Sequence, residues 1–507
     1  MNRKDIALSA LSGILLFLSF PKFGNGIVAW VSLVPLLLAL RNLNIREGLA
    51  AGFIAGVIYY VGIVYWIVHV IIKYGDLPVY AAFTAMLLLA SVLSLYLSLF
   101  SAGVVFFRRR GVPEIVSAPL LWICIEFIKS HLFTGFPWEN LAYSQYRYLV
   151  IIQAADIAGI YGIAFVIVFI NTVIYSLIAD RGNKKESIAV VVAGLVLLGA
   201  VALYGVHRVQ EISNVVRNLQ KHDVALIQGN IDQSIKWDPA YQDESLRIYK
   251  DLSERAIRQP APELIVWPET ATPFFFQDTD ERHREILDIA RKGRSFLLLG
   301  SPSYRAESAV QYYQNSAFMI SPEGDIVGKY DKVHLVPFGE YVPLRKVFPF
   351  MSRLVMGVGD FLPGEGYKPL AVGKHKAGVL ICYEAIFPEI SRAYGKAGAE
   401  LFVNITNDAW FGRTSAPYQH LTMAVFRAVE NRRYTLRAAN TGISSVIDPT
   451  GKILSETALF EKAVLKGKVG FLGSKTVYLE YGDVLVYAGF IILALSAIIS
   501  RKEKKNV

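Results

Sequence analysis

Two cysteines in 507 residues leave no disulfide framework to build. Cys124 lies inside an apolar run and Cys382 in a polar stretch, so no bridge between them is expected. Histidine is scarce too, with eight in the chain, and no His-x-x-x-His spacing marks a metal site. His334 and His420 stand isolated and read as hydrogen-bonded structural imidazoles. No low-complexity tract and no short-period repeat occurs. Charged residues are thin at 19 %, and their net +10 is unevenly spread. Residues 1–206 hold +5 of it, residues 484–507 hold +3, and the long middle segment 207–483 only +2. A basic excess gathered around apolar segments is a topology signal, and it excludes a nucleic-acid partner.

What the chain has in abundance is apolar sequence, 53 % of its residues. A bilayer crossing takes roughly 20 apolar residues, and apolar segments run at about 6–20, 27–40, 49–72, 79–107, 115–128, 149–178, 188–206 and 484–499. The first is followed by further spans and lacks a small-residue cleavage site, so it does not read as a cleaved signal peptide. Cytoplasmic loops are enriched in Lys and Arg. One set of alternating loops holds Arg3, Lys4, Arg41, Arg46, Arg108 to Arg110, Arg181, Lys184, Lys185, Arg501, Lys502, Lys504 and Lys505. The opposite set holds only Lys22, Lys73, Lys129 and Arg147. Eight spans with both termini cytoplasmic fit that pattern. The expected organisation is a seven-helix transmembrane domain over 1–206, an outer domain over 207–483, and a final helix with a basic tail over 484–507. In a bacterium this places the middle domain on the periplasmic side of the inner membrane.

The middle domain has its own pattern. Buried-strand runs at 224–227, 264–267, 296–299, 377–381 and 401–403 end in polar residues. Helical patterns at 241–258 and 281–292 lie between some of them. Apolar strands alternating with helices predict an α/β domain with covered sheets. Ser321-Pro322-Glu323-Gly324-Asp325 and Asp448-Pro449-Thr450-Gly451-Lys452 read as hairpin turns.

Three polar groups fall just past strand ends or in a polar loop, where α/β folds place their chemistry. They are Glu269, Lys332 and Cys382. Singly, each has an ordinary structural reading: a helix-capping Glu, a solvated Lys, a small buried thiol. Together they make a coherent nucleophilic set. A thiol of pKa ~8.5 is mostly protonated at neutral pH and needs a base or a cation. A carboxylate can take its proton, and an ammonium can stabilise the thiolate and then an oxyanion.

Those residues carry a specific resemblance. Glu269 in Trp-Pro-Glu-Thr, Lys332 in Lys-x-x-x-x-Pro-Phe-Gly-Glu and Cys382 in Cys-Tyr-Glu resemble the ordered Glu-Lys-Cys triad of the nitrilase superfamily. Over nearly its whole length the chain resembles the apolipoprotein N-acyltransferase family. Supporting stretches are Gln228 to Ile231, Lys236-Trp237-Asp238, Leu335 to Pro343, Asn407 to Gly412 and Thr134 to Trp138.

The resemblance implies an αββα sandwich for the outer domain and a two-step acyl transfer. Cys382 would be the nucleophile, Glu269 the general base, and Lys332 the oxyanion partner, aided by the Tyr383 backbone N–H. Glu340 and Glu384 would position Lys332 and the incoming amine, with a structural salt bridge as the alternative for Glu384. Trp237 would bind substrate; otherwise it is a core aromatic. The donor implied is a phospholipid, usually phosphatidylethanolamine, and the acceptor is the diacylated N-terminal cysteine of an apolipoprotein. No cofactor or metal is called for, and nothing requires more than a monomer. Phe274 to Phe276 and residues 347–361 would border a lipid entrance or pack as ordinary loop. Tyr65, Trp66 and Trp138 would be interfacial anchors. His69 would line a lipid path or bond between helices. A membrane-tethered nitrilase-type amide hydrolase is the competing enzyme, and a non-catalytic scaffold the competing class.

Overall fold

The computed structural model describes residues 1–75, 77–179, 184–258, 260–307, 310–342 and 361–503. Residues 347–360 and the side chains of Arg181, Lys184, Lys185, Arg501, Lys502, Lys504 and Lys505 lie outside the described set. The chain divides into two compact units. One comprises Met1–Ile72, Leu77–Glu211 and Glu480–Val507, the other Lys73–Asp76 and Ile212–Leu479.

The helices of the first part are α1 (Arg3–Phe17), α2 (Val34–Leu40), α3 (Ile45–Val64), α4 (Trp66–Tyr74), α5 (Val79–Arg108), α6 (Glu114–His131), α7 (Leu149–Ile152), α8 (Ala155–Ala179) and α9 (Lys184–Asn218). Asn2 with Asp5 and Asn44 with Glu47 form capping boxes that start α1 and α3. Among the described residues, α3, α5, α8 and residues 188–218 of α9 are long and apolar enough to cross a membrane. Residues 26–40 and 484–499 are shorter apolar helical segments.

Three expected spans are broken, the sixth of them into α7 and α8. The second splits into a 3₁₀ turn (Gly26–Trp30) and α2, because Pro35 opens a new helix. The break is held by Asn171, whose side chain accepts from Leu33 N at 2.8 Å and donates to Ala29 O at 2.9 Å. The third divides at Tyr65 into α3 and α4. The seventh runs past Val206 to Asn218 as one helix.

Small residues let α3 approach α5 closely. A Cβ on Gly52 would stand 2.4 Å from the Leu97 carbonyl oxygen, and one on Gly56 would stand 2.8 Å from Ser94. Polar groups on α6 draw the next loop inward, since an unbonded polar group in apolar surroundings is costly. Glu126 accepts from Leu141 N at 2.7 Å, Lys129 donates to Trp138 O at 3.4 Å, and Asn140 donates to Ser130 Oγ at 3.1 Å. That arrangement corrects the interfacial-anchor reading of two tryptophans. Trp138 and Trp66 are only 2 % and 7 % exposed, with ring centroids 5.1 Å apart.

Among the described residues, the second unit holds twelve strands. They are β1 (His222–Gln228), β2 (Leu264–Val266), β3 (Phe296–Glu307), β4 (Val310–Ile320), β5 (Ile326–Asp331), β6 (Leu370–Val372), β7 (His375–Ile381), β8 (Leu401–Thr406), β9 (Tyr434–Ala439), β10 (Ser445–Ile447), β11 (Ile453–Glu456) and β12 (Ala463–Val469). The accompanying helices are α10 (Gln242–Ile257), α11 (Glu281–Gly293), α12 (Pro388–Lys396), α13 (Ala416–Asn431) and α14 (Val477–Tyr481), and α15 (Val484–Glu503) closes the chain. Two six-stranded sheets form, in the orders β12-β1-β2-β3-β4-β5 and β11-β10-β9-β8-β7-β6. Their central pairs β1–β2, β2–β3, β7–β8 and β8–β9 are parallel, as the continuous apolar runs predict. Tyr249 and Leu252 of α10 and Ile286 and Ile289 of α11 pack with Ile227, Ile265 and Leu297 in one core. The α/β expectation with covered sheets holds. Both predicted turns form, closing β4–β5 through Ser321 N to Asp325 O and β10–β11 through Asp448 N to Lys452 O.

Candidate active site

In a parallel sheet the polar ends of buried strands meet at one edge, and the two sheets here bring theirs together. Glu269 follows β2 and Lys332 follows β5 in the first sheet, while Cys382 follows β7 in the second. Glu269 and Lys332 are buried and Cys382 is half-buried.

Each group is fixed by named partners. Glu269 accepts from Asn315 Nδ2 at 2.8 Å on one oxygen and from the Asn407 backbone N at 2.9 Å on the other. Lys332 Nζ lies 2.9 Å from Glu340 and 3.7 Å from Glu269. Glu340 also accepts from Asn315 Nδ2 at 2.9 Å and from Val336 N at 2.8 Å. Burial alone would lower the Lys332 ammonium, but Glu340, Glu269 and Cys382 hold it above the usual lysine range. Burial pushes the Cys382 thiol up, and the Glu269 carboxylate adds to that, opposed by Lys332. A thiol in that condition reacts only when a base takes its proton as it attacks.

Cys382 itself sits at φ +51°, in the left-handed region. A non-glycine residue there costs about 1–2 kcal/mol, so the surroundings must hold it. Glu384 supplies part of the restraint. It is fully buried and accepts from Ile381 N at 2.8 Å, Val333 N at 2.9 Å, His334 N at 3.1 Å and Tyr330 OH at 2.7 Å. One carboxylate thus ties the turn of Cys382 to the loop of Lys332. The salt-bridge alternative is not what the geometry displays: the hydrogen-bonding partners of Glu384 are three backbone amides and a phenol. Burial raises its carboxyl to about 7.

Trp237 is 48 % exposed, which removes its core-aromatic reading. Phe276 is buried in the core, and Phe275 stacks on Tyr313 and meets Tyr304 edge-on, so this run is packed loop. The Tyr383 ring is buried against Phe387, at 5.1 Å between centroids. His420 is fully buried and bonded, as expected of a structural imidazole, but one of its partners is the Cys382 carbonyl, at 3.1 Å.

Sequence reasoning missed Asn315, which bridges two carboxylates. The only signal for it is a polar Gln314-Asn315-Ser316 break before the apolar residues 317–320. It also gave Lys236 no role of its own. That amine is fully buried and donates to Thr270 Oγ1 at 2.8 Å and to Glu269 O at 3.4 Å. Burial lowers it to about 7, against the pull of Glu269.

Comparison with known proteins extends these observations. Residues 223–471 match the carbon-nitrogen hydrolase family model, and residues 12–173 match that of the apolipoprotein N-acyltransferase N-terminal domain. An apolipoprotein N-acyltransferase of Geobacter metallireducens is 46 % identical over 489 residues, covering 96 % of this chain and 93 % of that one. The Pasteurella multocida and Methylococcus capsulatus proteins of that name are 30 % and 32 % identical, over 96 % and 95 % of this chain and 94 % and 93 % of theirs. Among solved structures, an amidase from Nesterenkonia sp. aligns over 53 % of this chain and 96 % of its own, with a TM-score of 0.40 and 22 % identity.

Proposed function

The chain belongs to the apolipoprotein N-acyltransferase family, and from that premise we propose a covalent two-step acyl transfer carried by Cys382. It is a membrane acyltransferase of lipoprotein maturation with a nitrilase-like second unit. The finer chemistry follows from the site. In the first step the Cys382 sulfur attacks the sn-1 ester carbonyl of a phospholipid such as phosphatidylethanolamine. Glu269 accepts the thiol proton, and Lys332 with the Tyr383 N–H stabilises the oxyanion. Collapse expels the lysophospholipid alkoxide, which takes the proton back from Glu269. In the second step the neutral α-amino group of an S-diacylglyceryl-cysteine attacks the thioester, gives a proton to Glu269, and displaces the Cys382 thiolate, which takes that proton back from Glu269. Atoms and charge balance without a cofactor. Lys332 remains charged throughout, as its two carboxylate neighbours favour.

The observation that supports this reading best is the meeting of Glu269, Lys332 and Cys382 from two different sheets. The Lys/Arg asymmetry of the loops supports a topology with both termini in the cytoplasm and the second unit on the outer face. There a phospholipid donor and a diacylated acceptor both reside. Trp237, half exposed, supplies an apolar face for a substrate chain.

The test uses purified protein with labelled phosphatidylethanolamine and a diacylated lipopeptide. Expected is a hydroxylamine-sensitive acyl label on Cys382, then N-acylated peptide. Label that persists in Cys382→Ala sinks the nucleophile assignment. Label released as fatty acid while peptide is present identifies a hydrolase instead.

A further inference from the structure

A buried imidazole donates to the carbonyl of the nucleophile itself, and this inference about that bond rests on the acyl-transfer reading. His420, on α13, is 1 % exposed. Its Nε2 lies 3.1 Å from the Cys382 carbonyl oxygen. Its Nδ1 lies 3.1 Å from Arg437 Nη2 and 3.1 Å from Asp408 Oδ1. A carbonyl oxygen only accepts, so Nε2 carries a proton. Nδ1 meets a donor, Arg437 Nη2, and an acceptor, Asp408 Oδ1, at equal distance, so the bond from Nε2–H to the Cys382 carbonyl is the one common to every protonation state that satisfies these partners. In either state the ring donates to the Cys382 carbonyl. Burial first, and then the Arg437 charge, lower its proton affinity, with Asp408 opposing.

The ring has little freedom to turn. Arg437 donates to Asp408 Oδ2 at 2.7 Å and to Asn404 Oδ1, and Thr406 donates to Asp408 Oδ1 at 3.0 Å. Asn404 in turn donates to Leu380 O at 2.9 Å. Asp408 and Arg437 are the charged groups in hydrogen-bond contact with the imidazole, and they are paired with each other.

The Cys382 carbonyl and the Tyr383 N–H belong to one planar peptide and point in opposite directions. A hydrogen bond that fixes the carbonyl on the His420 side therefore fixes the N–H on the other. Donation to the carbonyl also strengthens the N–H as a donor, by hydrogen-bond cooperativity. Cys382 itself lies in the left-handed region, at φ +51°.

We propose that His420 is a positioning residue of acyl transfer: by holding the Cys382 carbonyl it orients the Tyr383 N–H toward the oxyanion of the tetrahedral intermediate. Its role is exercised through the peptide bond that follows Cys382. Its contribution falls on steps that develop an oxyanion, and reactions of the thiol that form none bypass it.

Two reactions of Cys382 separate these cases. Acylation by labelled phosphatidylethanolamine passes through an oxyanion, whereas alkylation by iodoacetamide does not. Losing an oriented oxyanion donor slows acyl transfer by about 10²-fold. His420→Ala is expected to show that loss in the single-turnover acylation rate, with KM held. Its alkylation rate should stay near that of the wild type. His420→Gln, whose side-chain amide can donate along the same line, is expected to recover acylation substantially. Acylation by His420→Ala at the wild-type rate overturns the inference. So does a parallel fall in alkylation and acylation in both variants, which marks a purely structural role. Failure of the wild type to form acyl-Cys382 overturns the acyl-transfer reading itself.

Discussion

Lys332 leans on Glu340 rather than on Glu269: its ammonium is 2.9 Å from the first carboxylate and 3.7 Å from the second. Two acids therefore share the lysine unequally. Glu340 is the counter-ion, and Glu269 keeps one oxygen on Asn315 and the other on the Asn407 amide. Glu340→Gln removes the counter-ion while preserving the shape. Lys332 then turns to Glu269 as its remaining carboxylate partner and weakens it as a base. Acyl-Cys382 formation should slow by about 10²-fold, the scale of a displaced general base. A Glu340→Gln enzyme acylating at the wild-type rate refutes this division of labour.

Glu384 receives four donors from three segments, and glutamine cannot replace it. The amide has one accepting oxygen, so Glu384→Gln sets its NH₂ group against Ile381 N–H or against the Val333, His334 and Tyr330 donors. An unsatisfied buried donor costs about 1–3 kcal/mol. Thermal unfolding should begin several degrees lower, and acylation should fall with it. Unchanged melting would show that the Lys332 and Cys382 loops are held by other contacts.

Lys236 makes stability depend on pH in a definite direction. Its amine titrates at about 7 in the fold and at ~10.4 in an unfolded chain. Between those values the unfolded chain holds the extra proton, so stability rises with pH, by at most about 1.4 kcal/mol per unit. Lys236→Met lacks this component. The wild type should gain in melting temperature relative to Lys236→Met from pH 7 to pH 9. A wild type that fails to gain relative to Lys236→Met over that range contradicts a buried neutral amine.

The contact between α3 and α5 is testable with one pair of glycines. Gly52→Leu drives a side chain into the Leu97 carbonyl, whereas a Cβ on Gly199 of α9 meets nothing within 4 Å. Overpacking of this kind costs about 1–3 kcal/mol or more. Gly52→Leu should lower the melting temperature in detergent, and Gly199→Leu should leave it unchanged. Equal behaviour of the two variants would discount the close helix approach.

Strand ends and catalytic candidates were legible because apolar runs stop abruptly at Glu269 and Cys382. Helices α10 and α11 announced themselves by spacing and nearly kept their predicted bounds. Asn315 was not legible: an asparagine in a strand gives no periodic signal, and its meaning comes from Glu269 and Glu340, which reach it from elsewhere in the chain. The break at Tyr65 was hidden for the opposite reason, since both sides of it are equally apolar. Trp138 was misplaced because composition reports that a tryptophan lies near a loop, whereas its burial depends on Glu126, Lys129 and Asn140 pulling that loop inward. His420 looked like an ordinary imidazole, and only its distance to the Cys382 carbonyl distinguishes it.

The first sheet is closed by the last strand: β12 pairs antiparallel with β1, His222 opposite Val469. A chain emerging from synthesis therefore carries Glu269, Lys332 and Cys382 long before the edge of β1 finds its partner. Pairing across such sequence separation is slow relative to local folding. The sheet that carries Glu269 and Lys332 is thus completed only after both have been made. A prematurely terminated product lacking residues 463–469 keeps the reactive side chains and loses the sheet edge that aligns two of them. The edge of β1 is thus left open until the last strand of the sheet has been made.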